Sequence, residues 1–194
     1  MRVKTINAYT AQELKEKFPA AFEKAHREFT ESQDEILWQD ETVGSLLKLI
    51  KQAGYKVNDY SLGAYNRGNC LRLEERPCDE LSGKRAFSWL ENEVLKGLRI
   101  RYKSPERWKQ SKYGNRAGTV PDCPLTGYFA DEVYLKALKE NLRSGMSVKE
   151  SLEDLESTCA KILEDELDAQ NSEEYFLETS EANEYEYDER GDLV

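Results

Sequence analysis

The chain has 194 residues, of which 39 % are hydrophobic, 34 % charged and 10 % aromatic, with a formal net charge of −10. That length suits one domain with a real core, and the aromatic content argues against wholesale disorder. No run approaches the roughly 18 apolar residues of a membrane helix, and residues 1–9 lack the apolar core of a signal peptide, so the expected compartment is the cytosol. In that setting Cys70, Cys78, Cys123 and Cys159 are expected to be free thiols.

Residues 1–9 alternate like a short strand. Thr10-Ala-Gln-Glu13 is a capping box that starts a helix, and Pro19 restarts it, since proline fits a first turn. Phe18, Phe22, Ala25 and Phe29 follow at helical spacing. A further helix is predicted over 34–53, with Leu37, Val43, Leu46, Leu47 and Ile50 on one side and Gly54 beyond its end. Residues 55–65 and 70–74 read as two strands around an Asn66-Arg67-Gly68-Asn69 turn. A helix is predicted over 83–98, with Phe87, Leu90, Val94 and Leu98 on one face and Trp89 beside them. Residues 98–125 hold Pro105, Gly114, Gly118, Pro121 and Pro124 and read as a long loop. A helix over 131–143 stops at Gly145. Ser147-Val-Lys-Glu150 is a second capping box, opening what reads as the longest helix, and a short helix over 172–182 precedes a closing strand at Tyr185 and Tyr187. The whole suggests one α+β domain over 1–194: a small antiparallel sheet of N-terminal strand, central hairpin and C-terminal strand, with about six helices.

Recognised chemistry is sparse. A P-loop needs a glycine five residues before Gly83-Lys84, where Cys78 stands. No cysteine or histidine pair has zinc spacing, and His26, the single histidine, sits mid-helix in what reads as a solvated position. The sequence therefore points to no enzyme and no cofactor.

Charge is the informative feature. Residues 1–118 carry 22 Lys and Arg against 17 Asp and Glu, whereas 119–194 carry 6 against 21, a net of −15. The acidic helical part, 147–194, offers Glu153, Asp154, Glu156, Glu164, Asp165, Glu166 and Asp168 as a protein-binding face that partly imitates nucleic acid. Duplex DNA carries one charge per roughly 1.7 Å, whereas residues 150–168 reach about one net charge per 4 Å at helical rise, so the imitation is partial. A basic loop over 96–118 interleaves Arg99, Arg101, Arg107 and Lys109 with Tyr102, Trp108 and Tyr113, a mixture suited to single-stranded nucleic acid, with metal-dependent cleavage as its enzymatic extension. Val148, Leu152, Leu155, Cys159 and Ile162 are spaced 4, 3, 4, 3, so Leu152, Leu155 and Ile162 could form a homodimer seam, although packing inside the domain explains them too.

Three segments together resemble a group of small bacteriophage and plasmid proteins labelled as antitoxin-like components of toxin–antitoxin stability systems. They are Phe18-Pro-Ala-Ala-Phe-Glu-Lys-Ala25 with the Trp38 helix, Tyr60-Ser-Leu-Gly-Ala-Tyr-Asn-Arg-Gly-Asn69, and Ser172-Glu-Glu-Tyr-Phe176 with Glu181-Ala-Asn-Glu-Tyr-Glu-Tyr187. The resemblance spans about half the chain; members usually carry a more Gly- and acid-rich turn where this chain has Asn66–Asn69. It implies an accessory protein of a mobile element; together with the net −15 of residues 119–194 and the missing catalytic motifs, it makes a host defence or toxin protein that binds nucleic acid the expected partner, in the host bacterial cytosol. No site residue is carried over from it.

Overall fold

The computed structural model describes residues 7–33, 37–95 and 123–194. The start of the predicted N-terminal strand (1–6) and of the 34–53 helix (34–36) lies outside the described residues, as does the basic loop. The chain divides into two compact units, one of Met1–Leu37 with Asp165–Val194 and one of Trp38–Glu164, where the sequence suggested a single domain.

In the first unit, Thr10 ends strand β1 (Tyr9–Thr10) and caps helix α1 (Ala11–Lys17). Its hydroxyl accepts the Glu13 N–H and the Glu13 carboxylate accepts the Thr10 N–H, each at 3.2 Å. The bond from the Thr10 backbone, aided by Lys17, holds the Glu13 carboxyl below its ordinary value. Pro19 opens α2 (Pro19–Glu31), whose spacing turns Ala21, Phe22 and Ala25 inward. Ser172 caps α8 (Glu173–Ala182), which buries Phe176. Phe176 is the hub of this core: its ring lies 5.5 Å from Phe22, 5.1 Å from Phe29 and 6.0 Å from Tyr187. Burying a side chain of that size contributes about 2–3 kcal/mol. The unit is discontinuous in sequence because β4 (Glu186–Tyr187) pairs antiparallel with β1, Tyr187 opposite Tyr9 and Glu186 opposite Thr10.

The second unit begins with α3 (Gln39–Gln52) and contains the hairpin β2 (Val57–Ser61) and β3 (Cys70–Leu73). It continues through α4 (Gly83–Trp89), a π-helical segment (Leu90–Leu95), α5 (Ala130–Ser144) and α6 (Val148–Glu153), and the boundary between units falls inside α7 (Leu155–Gln170). The α+β class holds, with the strands in two separate two-stranded sheets, β1–β4 and β2–β3. Among the described residues no helix is long and apolar enough to cross a membrane.

Three elements differ from the sequence reading, each for a local reason. The buried face of α3 is Thr42, Ser45, Leu46, Leu49 and Ile50, while Leu37 is 51 % exposed and outside the helix. Ser45 turns inward because its hydroxyl is used, bonding Thr126 at 2.8 Å, and beside it the Thr42 backbone carbonyl accepts the Tyr134 hydroxyl at 3.2 Å. The helix predicted over 83–98 is α-helical only to Trp89. The Asn92 side-chain amide donates to the Ser88 carbonyl at 2.8 Å, the acceptor that the Asn92 backbone N–H would use in an α-helix, and the ladder slips to π. The expected longest helix is interrupted at Asp154. Asn141, on α5, donates its side-chain amide to the Ser151 carbonyl at 3.3 Å, the acceptor that the Leu155 N–H would otherwise claim. The four cysteines are free thiols.

The seam Val148, Leu152, Leu155, Cys159 and Ile162 is no more than 6 % exposed at any position. Leu152, Leu155 and Ile162 therefore fill the interior of one chain and offer no dimer seam, which corrects that expectation: a side chain already removed from water gains nothing further by dimerising.

Candidate functional site

The division into units sorts the charge. The unit of Met1–Leu37 and Asp165–Val194 holds 19 Asp and Glu against 7 Lys and Arg, a net of −12, while Trp38–Glu164 holds 19 against 21, a net of +2. The chain's acidity is thus the property of one unit.

Within that unit the carboxylates collect on α8. Phe176 and Ser180 face inward, so Glu174, Glu178 and Glu181, at spacing i, i+4, i+7, share the opposite, exposed face. Several other carboxylates of the unit are partnered: Lys15 pairs with Glu173, Lys24 with Asp192 and Glu28, and Tyr9 donates its hydroxyl to Glu189 at 3.4 Å. Glu174, Glu178, Glu181, Glu184 and Glu186 have no ion pair or side-chain hydrogen bond among the described residues. Glu174, in the first turn, suits the positive end of the helix dipole, but local physics opposes the rest of the stripe. Like charges at i, i+4 repel, and negative charge near a helix C-terminus meets the negative end of the dipole. The last turn of α8 has no basic residue to offset it.

Glu184 adds a third cost. The Tyr185 N–H bonds the Ser180 carbonyl at 2.9 Å and the Glu184 N–H bonds the Glu181 carbonyl at 3.1 Å, the Schellman pattern, with Glu184 in the position that favours glycine. Its φ is +56°. Glu184→Gly is expected to stabilise the protein by up to about 1 kcal/mol, read as a raised urea midpoint, by relieving left-handed strain. A lowered midpoint would mean that the Glu184 side chain contributes to the fold.

The acids singled out from the sequence are placed differently. The Glu153 carboxylate accepts the Leu73 N–H of β3 at 3.2 Å, and the Glu164 carboxylate accepts the Tyr65 N–H of the hairpin loop at 3.3 Å. Asp154 accepts from the Asn141 amide at 2.9 Å. These three hold the hairpin and α5 in place. Glu156 and Glu166 are half-buried on α7, whose most exposed positions include Lys161 as well as Asp165 and Asp168, so no continuous acidic stripe runs along it. The stripe lies on α8 instead. Its signal, glutamate at i, i+4 and i+7 opposite a buried phenylalanine, is present in the sequence but fainter than the denser acid runs of α7.

His26 is half-buried rather than solvated: its Nε2 lies 3.0 Å from the Asn171 carbonyl and its ring stacks on Phe176 at 5.3 Å. These two contacts make it a support between α2 and α8. The basic-loop residues Arg99, Arg101, Tyr102, Arg107, Trp108, Lys109 and Tyr113 lie outside the described residues. Among the described residues no group of three or more His, Cys, Asp and Glu could hold a metal ion.

The second unit also contains a half-buried polar cluster beside a cleft of about 620 Å³. The Tyr55 hydroxyl donates to Asp79 at 2.7 Å and lies 3.2 Å from the Cys78 sulfur, while Arg76 stacks over the Tyr55 ring. Burial first, then Cys78 and Asp79, push the Tyr55 phenol far above its ordinary value. A phenol held this firmly in its protonated form donates a hydrogen bond and cannot act as a base. The cleft's carboxylates are largely occupied: Asp79 by Tyr55 and the Arg76 N–H, Glu150 by the Ser147 capping box, Glu153 by Leu73. No family model matches the chain, and neither the curated proteins nor the solved structures contain a match to it.

Proposed function

We propose that this chain is a binding protein rather than an enzyme, and that its acidic unit docks on a basic surface of a partner protein. The observation that carries the reading is the outward glutamate stripe Glu174, Glu178 and Glu181, continued by Glu184, whose like charges repel and whose last members, Glu181 and Glu184, are in positions that the isolated helix disfavours. Residues that break local rules without an internal benefit mark surfaces shaped by an external one. The resemblance to bacteriophage and plasmid accessory proteins extends the proposal: a phage-type inhibitor in the bacterial cytosol that neutralises a host defence or toxin protein. A partner that itself binds nucleic acid suits the charge, because such proteins present Lys and Arg to phosphates. From Glu174 to Glu181 the stripe places three carboxylates over about 10 Å, sparser than duplex DNA, so it imitates nucleic acid only in part.

The test is capture from nuclease-treated bacterial lysate followed by a salt gradient. One basic protein is expected to elute at moderate salt. The triple variant Glu174→Gln, Glu178→Gln, Glu181→Gln should retain none of it while folding about as stably as wild type, since it removes the like-charge repulsion along the stripe without putting a row of cations in its place. Equal capture by the triple variant, or no protein retained by wild type, overturns the reading. The second reading, nucleic-acid binding through the basic loop, gains from one observation: the unit containing it has a net charge of +2, so the chain's overall acidity does not belong to it. Nucleic acid recovered alone from untreated lysate would favour it.

A further inference from the structure

The acidic unit also carries a groove of about 270 Å³ between α2 and the segment around β4. Ala25, Tyr187 and Gly191 are buried and form its floor. Phe29 and Tyr185, both half-buried, and Leu193, 62 % exposed, line it nearer the surface. The floor is apolar in character because the Tyr187 hydroxyl is spent on Ser180 at 3.1 Å and presents no free polar group. Gly191 contributes backbone to the floor, its missing side chain being on the side towards Ala21. Leu193 is held in place by the Tyr187–Leu193 bridge. One carboxylate, Glu28, lines the opening, and the unit that holds the groove has a net charge of −12. Of the nearby cations, Lys24 is already bound by Glu28 and Asp192.

Size and charge together select an occupant. Small-molecule sites occupy about 300–1,000 Å³, so this groove is too small for most such ligands and suits one side chain. A largely apolar socket in a unit of net charge −12 complements an apolar residue set among cations. We propose that the groove receives one apolar side chain, of leucine or phenylalanine size, projecting from a cationic segment of a protein partner. The inference rests on the reading of the acidic unit as a docking surface and divides the labour within it. The glutamates attract and orient the segment, and the groove holds its anchor. That is the usual anatomy of an interface whose energy is concentrated in a buried central residue with a polar surround.

The test uses two fluorescein-labelled peptides of equal length, one of lysine alone and one alternating lysine with leucine, titrated against the protein by fluorescence anisotropy. The lysine–leucine peptide is expected to bind about ten- to hundredfold tighter, the gain from burying one leucine-sized side chain. Two variants probe the socket: Leu193→Ser removes a lining side chain, and Ser32→Trp, at an exposed lining position, fills the space. Circular dichroism checks that each remains folded. Either variant should bring the lysine–leucine peptide down to the affinity of oligolysine and leave oligolysine binding unchanged. If wild type binds both peptides equally, or if its preference survives both variants, the groove inference is overturned while the docking surface stands. If neither peptide binds, both are overturned.

Discussion

Gly191→Ala is expected to destabilise the protein by roughly 3 kcal/mol or more, one of the two largest single-substitution effects anticipated here. Gly191 has φ +85°, and a Cβ on it would lie 2.3 Å from the Ala21 carbonyl oxygen and 3.1 Å from its carbon. Neither atom can yield, because Ala21 is in the body of α2, so the turn after β4 would have to move away. The turn is otherwise well held: the Asp188 carboxylate accepts the Arg190 N–H at 2.8 Å and the Asp192 N–H at 3.1 Å, which keeps its carboxyl below the ordinary value, the Arg190 bond foremost. Gly145→Ala is the matched control. Gly145 has φ +99° but nothing within 4 Å of its Cβ position, so it should lose only about 1 kcal/mol for the left-handed backbone. Urea unfolding followed by circular dichroism measures both. Losses of the same size in the two variants would show that the backbone approach at Ala21 is not close.

Asp131→Ala should cost a similar amount, about 3–5 kcal/mol, in the other unit. Asp131 is 0 % exposed at the start of α5. One carboxylate oxygen accepts the N–H groups of Leu125 and Thr126 at 2.7 Å and of Gly127 at 3.2 Å, and the other accepts the Thr126 hydroxyl at 3.0 Å. With the Thr126 proton committed to Asp131, the Ser45 hydroxyl must be the donor in the Ser45–Thr126 bond, which ties α3 to this loop. Alanine would strand these backbone donors, at the full cost of their desolvation. The same loop positions Tyr128 and Phe129 beside Trp38, with ring centroids 4.6 Å and 6.4 Å apart in the two Tyr128 pairs, so the variant should also loosen that exposed aromatic group. Asp131→Asn keeps the shape but turns an amide donor towards donors, and should lose about half as much. An Asp131→Ala loss under about 1 kcal/mol in the urea midpoint would contradict the clamp.

Both capping boxes, Thr10 with Glu13 and Ser147 with Glu150, form as the sequence predicts. So do the restart at Pro19, the left-handed Gly54 and Gly145 after their helices, and the hairpin about Asn66–Asn69. In the hairpin loop the Asn69 side chain bonds both the N–H and the carbonyl of Gly63 at 2.9 Å, and Asn66 accepts the Gly68 N–H at 2.9 Å. The candidate site was legible in part: the acidity of the C-terminal segment is plain, but its outward face is not the one with the densest acid runs. Glu153 and Glu164 read as surface charge, yet they are anchors for the Leu73 and Tyr65 backbone.

The amino-acid sequence by itself determined the caps, turns and helix starts, the uneven charge, and the pattern of apolar positions that ends in the core. Each of these depends on groups within about four residues of one another, or on side-chain transfer from water, which needs no knowledge of the partner. Only the tertiary structure decided the interruption at Asp154, where Asn141 reaches across from α5 for the Ser151 carbonyl. It also decided the inward turn of Thr42 and Ser45, the spending of individual carboxylates on distant N–H groups, and the union of both chain segments in one unit of net charge −12. A buried donor or acceptor must find a partner, and which partner is near is set by packing between elements far apart in the chain.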